Sequence, residues 1–420
     1  MRSCLLVIVF LFLTAGFCHA QPGTVDARFN PQASDFGNGK GGKGLLSALL
    51  VQPDGKIMVG GDADVYNGAT TTRMFRLHAN GSLDASFRSY FDDWITSFCR
   101  QPDGKILVAG NFSVYDPQAK AYRYFIARIN PDGSFDSTFR AGNFLDKWVD
   151  DVAIDAKGRI LIAGFFRKCW DKSAVGLARL LPDGSLDTTF ASRSDDDVKH
   201  VRVLPNGRIV IAGDFEKYDR KECANIAFLN EDGSLLANYK NKAKYDWESI
   251  NVLCPWKESS ILVGGRFKTY RGKKAEYFVA LDSEGKPLPG FNDLALNGSV
   301  TAILVERTGT LLVGGNFTRS QGQKVAHLVR VDEQGKRDLN YNPVVQRPNE
   351  MAEDPTGATI ALFEGDNFRG DWFQRLMRLH KDGTIDPYFG PTNSVDGTVY
   401  TSPPLYCSPV LKRYQLSLGR

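Results

Sequence analysis

The apolar residues of this chain come in short runs bounded by turn residues, and the runs repeat. The clearest is Pro102 to Phe112, PDGKILVAGNF. It reads as a tight turn at Asp103-Gly104, a strand of apolar residues, and a Gly-Asn-Phe that ends the strand. Related stretches start at Pro53, Ala156, Pro205, Lys257, Arg307 and Pro355, making seven copies. Their first strand residues are Ile57, Ile106, Ile160, Ile209, Ile261, Leu311 and Ile360, spaced 49 to 54 apart. A second element follows each copy, as in RINPDGSFDSTF (Arg128–Phe139) and RLLPDGSLDTTF (Arg179–Phe190). It reads as a strand, a glycine turn, and a short strand ending in an aromatic residue. Gly supplies the positive φ that tight hairpin turns need. No segment shows sustained helical periodicity.

One period therefore predicts four strands, a to d, with Asp-Gly or Asn-Gly turns closing the a–b and c–d hairpins. Four strands in a period of this length are the pattern of a β-propeller blade. A single blade cannot bury its own faces, but packing around an axis buries them. The apolar residues of strand b and the Phe after the Gly pair are the expected inter-blade core. The predicted fold is all-β: seven complete four-stranded blades plus a partial closing eighth. That eighth blade is shared by the termini, with Val25–Phe29 as a lone strand d and strands near Thr398–Thr401 and Leu411–Leu418. Such sharing leaves no exposed sheet edge. The rival arrangement is a seven-bladed ring whose tail packs elsewhere.

Composition refines this in three ways. Residues 1–20 read as a signal peptide: Arg2, an apolar run Leu5–Leu13, and small residues ahead of a cut near Ala20. The run is too short to span a bilayer. The expected organisation is thus a leader, 1–20, and a single propeller domain, 21–420, secreted, periplasmic or at the cell surface. A formal net charge of +4, or +3 without Arg2, is too weak to indicate nucleic acid. The mature chain keeps Cys99, Cys169, Cys223, Cys254 and Cys407, an odd count. Cys99 and Cys254 share a register that favours small buried hydrophobes. Cys169 and Cys223 lie in corresponding loops, where a bridge is one option.

The PDGKILVAGNF and ARINPDGSFDSTF elements resemble the delta-60 repeat family, a bacterial β-propeller repeat. The agreement is close at Gln101–Phe112 with Ala127–Phe139, and at Gln52–Gly61 with Arg76–Phe87. It weakens in the fifth and sixth periods, where Gly285 and Gly335 survive without the SLDxSF pattern. The resemblance implies an exported bacterial protein. It carries no catalytic residue to transfer.

Up-and-down strands put the short Asp-Gly turns on one face and the variable d–a and b–c loops on the other. Binding residues ride on variable loops over a rigid scaffold. The d–a loops hold Asp92, Asp93 and Trp94; Asp146 and Trp148; Asp195, Asp196 and Asp197; and Asp246 and Trp247. The b–c loops are basic and carry Tyr115, Tyr122, Tyr218 and Tyr270. The candidate ligand residues are Asp93, Trp94, Trp148, Asp196, Asp197, Trp247, Tyr218 and Tyr270, a ring of stacking platforms and carboxylates. Such a ring suits a sugar or a cationic peptide group. The plain alternative is that Trp packs between blades and Asp caps turns. No GxSxG, Walker loop, HExxH or zinc spacing occurs, so no catalytic residue, metal or cofactor is expected. The expectation is a monomeric binding or scaffold module for a carbohydrate or protein ligand. A polysaccharide hydrolase or lyase using axial carboxylates is the other reading.

Overall fold

The computed structural model describes residues 42–43 and 45–389, apart from 67–68, 141–143, 191, 238–248, 258, 365–366 and 369–370. Every period folds into an antiparallel three-stranded meander. The first three are Leu46–Val51, Ile57–Gly61 and Met74–Leu77; Ile95–Arg100, Ile106–Asp116 and Ala121–Ile129; Val149–Ile154, Ile160–Gly164 and Leu177–Leu180. The next two are Val198–Val203, Ile209–Gly213 and Ile226–Leu229; Ile250–Trp256, Ser260–Gly265 and Phe278–Leu281. The last two are Val300–Val305, Leu311–Gly315 and Leu328–Val331; Pro348–Glu353, Thr359–Phe363 and Asp371–Leu379.

The inner strands pack on one another in chain order, and Pro348–Glu353 of the seventh sheet packs on Leu46–Val51 of the first. A core cluster joins Leu46, Ile57 and Val59 to Ile360, Leu362 and Phe389 at that junction. Gly42–Lys43 adds a backbone link, pairing with Val65–Tyr66 of the first period and Phe373–Gln374 of the seventh. The expected partial eighth blade is not among the described sheets: the seventh meets the first directly. The segments invoked for it, 25–29 and 398–418, lie outside the described residues.

The fourth strand is corrected. Expected strand d is a single bridge residue in every period: Leu83, Phe135, Leu186, Leu235, Pro287, Arg337 or Ile385. In five of the seven periods an aspartate comes next and folds back on the chain. Asp136 accepts the amide and hydroxyl of Thr138, two residues on, at 3.0 and 2.6 Å, and Asp187 does the same with Thr189. This local turn competes with strand extension. The same carboxylate is held by an arginine on strand c: Arg76 to Asp84, Arg128 to Asp136, Arg179 to Asp187 and Arg378 to Asp386. The guanidinium also lies over the aromatic ring that ends the motif, 4.6 to 5.2 Å from the centroids of Phe87, Phe139, Phe190 and Phe389.

The arginine then reaches the following sheet. Arg76 donates to Pro131 O at 2.6 Å, Arg128 to Pro182 O at 2.6 Å, and Arg179 to Glu231 O. Arg378 donates to Ala79 O at 3.0 Å, so the seventh sheet clips to the first as the others clip to their neighbours. Phe228 and Ala280 replace the arginine in the fourth and fifth sheets, with Leu236 and Leu288 in place of the aspartate. Arg330 of the sixth turns to Glu306 instead, at 2.9 Å.

Between blades the expected core is in place. Phe112, Phe166, Phe215, Phe267 and Phe317 are all buried, each worth about 1.5–3 kcal/mol of apolar burial. Cys169 and Cys223 are free and buried, with thiols pushed by burial up to about 12 and about 11. Among the described residues no helix is long and apolar enough to cross a membrane.

Candidate functional site: the channel mouth

Each inner strand opens with a bulge, as at Val149/Asp151 and Val198/His200. The residue just before it presents its carbonyl to the chain leaving the middle strand. Leu45, Trp94, Trp148, Asp197, Ser249, Ser299 and Arg347 accept the amides of Asp62, Asn111, Phe165, Asp214, Arg266, Asn316 and Glu364 at 2.7–3.1 Å. The preceding glycine makes room for this. A Cβ on Gly61, Gly110, Gly164, Gly213, Gly265 or Gly315 would lie 2.1–2.3 Å from the accepting oxygen. These paired positions form one belt around the channel mouth, on the d–a and b–c face.

The belt is uniform in backbone and divided in side chains. Its apolar residues gather over the first three sheets, where Leu45, Trp94 and Phe165 are each 39% exposed beside Asp62 and Asn111. The Trp94 indole reaches the first sheet and donates to Ser47 Oγ at 2.6 Å. Trp148 stacks on Phe165 with centroids 4.7 Å apart and planes 7° apart, and Arg167 covers Phe165 at 5.2 Å. Over the remaining sheets the belt is polar. A cleft of about 220 Å³ opens between the fourth and fifth, lined by Lys199, His200, Gly213, Asp214, Ser249, Ile250 and Asn251.

The sequence candidates separate sharply here. Trp94 and Trp148 do share one register and both reach the mouth. Asp93 sits beside them, accepting Trp94 N–H at 2.7 Å and the Asn111 amide at 3.4 Å. Asp196 and Asp197 are both taken up by Arg167 of the preceding sheet. Burial pushes the Asp197 carboxyl up, against the pull of Arg167. Asp92, Asp146 and Asp195 cap the b–c hairpins through backbone amides of Ser113, Arg167 and Lys217 at 2.9 Å.

Tyr218 and Tyr270 are buried beneath the b–c hairpins. Their two-residue strands alternate, sending Lys217 and Thr269 out and the tyrosines in. Each phenol donates to the glycine carbonyl of its c–d turn, Gly233 at 2.8 Å and Gly285 at 2.9 Å. Tyr66 makes the same bond to Gly81. Tyr115 and Tyr122 do stand exposed, on a longer hairpin in the second sheet. Trp247 and Asp246 lie outside the described residues.

The bulge itself brings in residues that the loop pattern did not single out. Asp150, Lys199 and Asn251 occupy its second position, on three successive inner strands. Lys199 pairs with Asp214 at 2.7 Å. Burial pushes the Asp150 carboxyl up to about 7. Deeper on the axis, Asp151 is saturated. It accepts Ser97 Oγ at 3.0 Å, the amides of Val152 and Val201 at 2.9 and 3.0 Å, and Arg202. Crowding by the inner strands strips solvation from half-exposed His200 and lowers it to about 4, and raises Glu350, which is exposed to the opening, to about 7. No cluster of three or more metal-ligating side chains occurs among the described residues.

A family profile described as domain of unknown function (DUF5122) beta-propeller matches residues 52–87, 101–139, 158–190, 204–235 and 307–341. These are periods one to four and six, so the agreement lapses in the fifth and seventh, not in the sixth as the sequence suggested. No curated protein sequence matches the chain. Among solved structures, the WD40 beta propeller domain of Doa1 is 11% identical at a TM-score of 0.46, covering 82% of this chain and 96% of that one. The GH74 xyloglucanase from Xanthomonas campestris is 14% identical at 0.46, covering 77% and 51%. The extracellular domain of the two component system BT3049 from B. thetaiotaomicron is 10% identical at 0.45, covering 80% and 40%. At such scores none of these bears on function. The five matched repeats make the chain a member of the DUF5122 β-propeller repeat family, of the delta-60 type.

Proposed function

We propose that the protein is an exported, non-catalytic propeller that binds a carbohydrate at the channel mouth. In this reading residues 1–20 are removed and 21–420 form one seven-bladed ring, working as a monomer. The observation that carries it is the exposed apolar arc of Leu45, Trp94 and Phe165 facing a polar arc across one opening. Sugars present C–H faces for aromatic stacking and hydroxyls for polar groups, and the mouth offers both. The saturation of Asp151 argues against acid–base work on the axis, because a carboxylate bonded at four points has no free role in proton transfer.

The test is a glycan-binding screen of wild type against Trp94→Ala and Trp148→Ala. Trp94→Ala is expected to weaken binding about tenfold or more, one stacking platform being worth about 0.5–1.5 kcal/mol beyond its buried area, while the melting curve stays in place. A hit bound equally by all three proteins would remove the aromatic arc from the site. The enzyme reading keeps one supporting observation, the raised carboxyls of Asp150 and Glu350. Product release from a bound polysaccharide, abolished by Glu350→Gln, would favour it.

A further inference from the structure

We propose that the mouth selects a sugar bearing a free, protonated amine, with the ammonium seated on Asp150 against Trp148. This rests on reading the mouth as a carbohydrate site and names what that site prefers.

The second position of the bulge normally holds the ring together. Ser47 donates to Ile95 O at 2.6 Å, Thr96 to Val149 O at 2.7 Å, Asn251 to Val300 O at 2.9 Å and Thr301 to Pro348 O at 2.5 Å. Each is a short donor reaching the first carbonyl of the next inner strand. Asp150 stands at that position in the third sheet, and in its ionised form it has no hydrogen to give. The clamp is therefore surrendered there, and a charge is placed at the mouth instead.

Among the described residues no ion pair forms at that charge, and Lys199 is the cation that acts on it most strongly. Around the mouth Asp62 pairs with Arg73, Asp214 with Lys199, Glu364 with Arg347, and Asp197 with Arg167. Deeper, Asp151 pairs with Arg202. Lys199, already paired with Asp214, draws the Asp150 carboxyl down and the Trp148 side chain donates to it, while Asp151 and Asp197 add negative potential. A half-buried carboxylate in such surroundings gains most from a bound cation. The neighbouring indole supplies a second attraction, since a ring face draws an ammonium. Phe165 and Arg167 cover one side of the stack, which fixes the Trp148 plane. A neutral N-acetyl group supplies neither the countercharge nor the cation–π contact.

The experiment compares three hexasaccharides by calorimetry: β-1,4-linked glucosamine, its fully N-acetylated form, and the corresponding glucose oligomer. Wild type should bind the amine form about tenfold or more tightly than the other two, a difference of about 1.4 kcal/mol. The preference should shrink as salt rises. Asp150→Asn keeps the shape and should bring the three affinities together without abolishing the weaker ones. Equal binding of all three sugars by wild type would overturn the amine assignment and leave the carbohydrate reading standing. Preserved amine preference in Asp150→Asn would move the countercharge elsewhere. Binding of none would overturn both.

Discussion

The two faces of the ring repeat different things. On the turn face the side chains repeat: arginine, aspartate and a terminal aromatic recur at one spacing and clip one sheet to the next. On the mouth face the belt repeats in its backbone. One carbonyl–amide bond of similar length recurs within each of the seven sheets, yet the residues carrying it range from Trp94 to Asp197 to Arg347. Where the ring must hold, chemistry is constrained. Where the backbone alone suffices, the side chains are released to differ, and that release is what makes the mouth a candidate site.

The largest effect that tests this contrast lies on the turn face. Arg179→Ala leaves Asp187 buried without the one ion-pair partner it has among the described residues and removes the clip to Glu231 O. Breaking one side of a buried pair costs about 3–5 kcal/mol, which denaturant unfolding would read. The double change Arg179→Phe with Asp187→Leu borrows the pair found at Phe228 and Leu236. It is expected to regain most of the loss, whereas failure to do so would mean the clip matters more than the pair.

A smaller effect bridges the two faces. Gly164→Ala puts a Cβ 2.3 Å from Trp148 O and 2.8 Å from Val149 Cα. Overpacking of this kind costs about 1–3 kcal/mol. Because the strain falls on the belt beneath Trp148, both the melting temperature and ligand affinity should drop together. Loss of stability with unchanged affinity would show that the belt does not position the mouth.

The smallest is Tyr218→Phe. Removing the hydrogen bond to Gly233 should cost about 1 kcal/mol in thermal unfolding and leave binding untouched. A change in affinity without one in stability would return Tyr218 to the site.

Much of this contrast is legible in sequence, but unevenly. The period, the Asp-Gly turns and the buried middle strands follow from glycine and apolar runs, which mark themselves. Strand d did not survive, because LDASF and FDSTF alternate like a strand while Asp84 and Asp136 fold back on Ser86 and Thr138. The recurring aspartate with a hydroxyl residue two places on was the available signal. Tyr218 and Tyr270 looked like loop aromatics because the hairpins carrying them are only two residues per strand, too short for alternation to show. Asp150 was hidden for another reason. Its meaning lies in what Ser47, Thr96 and Thr301 do at the same register, and that register depends on a bulge that only the strand pairing reveals.

The arginine clip has a consequence for how the ring yields. It binds the first sheet to the second, the second to the third, the third to the fourth and the seventh to the first. The joints that follow the fourth, fifth and sixth sheets lack it, with Phe228 and Ala280 in its place and Arg330 turned to Glu306, and at the first of them the mouth opens into its cleft. A hoop under outward stress yields along its unclipped side. Amide exchange is expected to be faster beside Lys199 and Asn251 than along the clipped arc that carries Trp94 and Trp148.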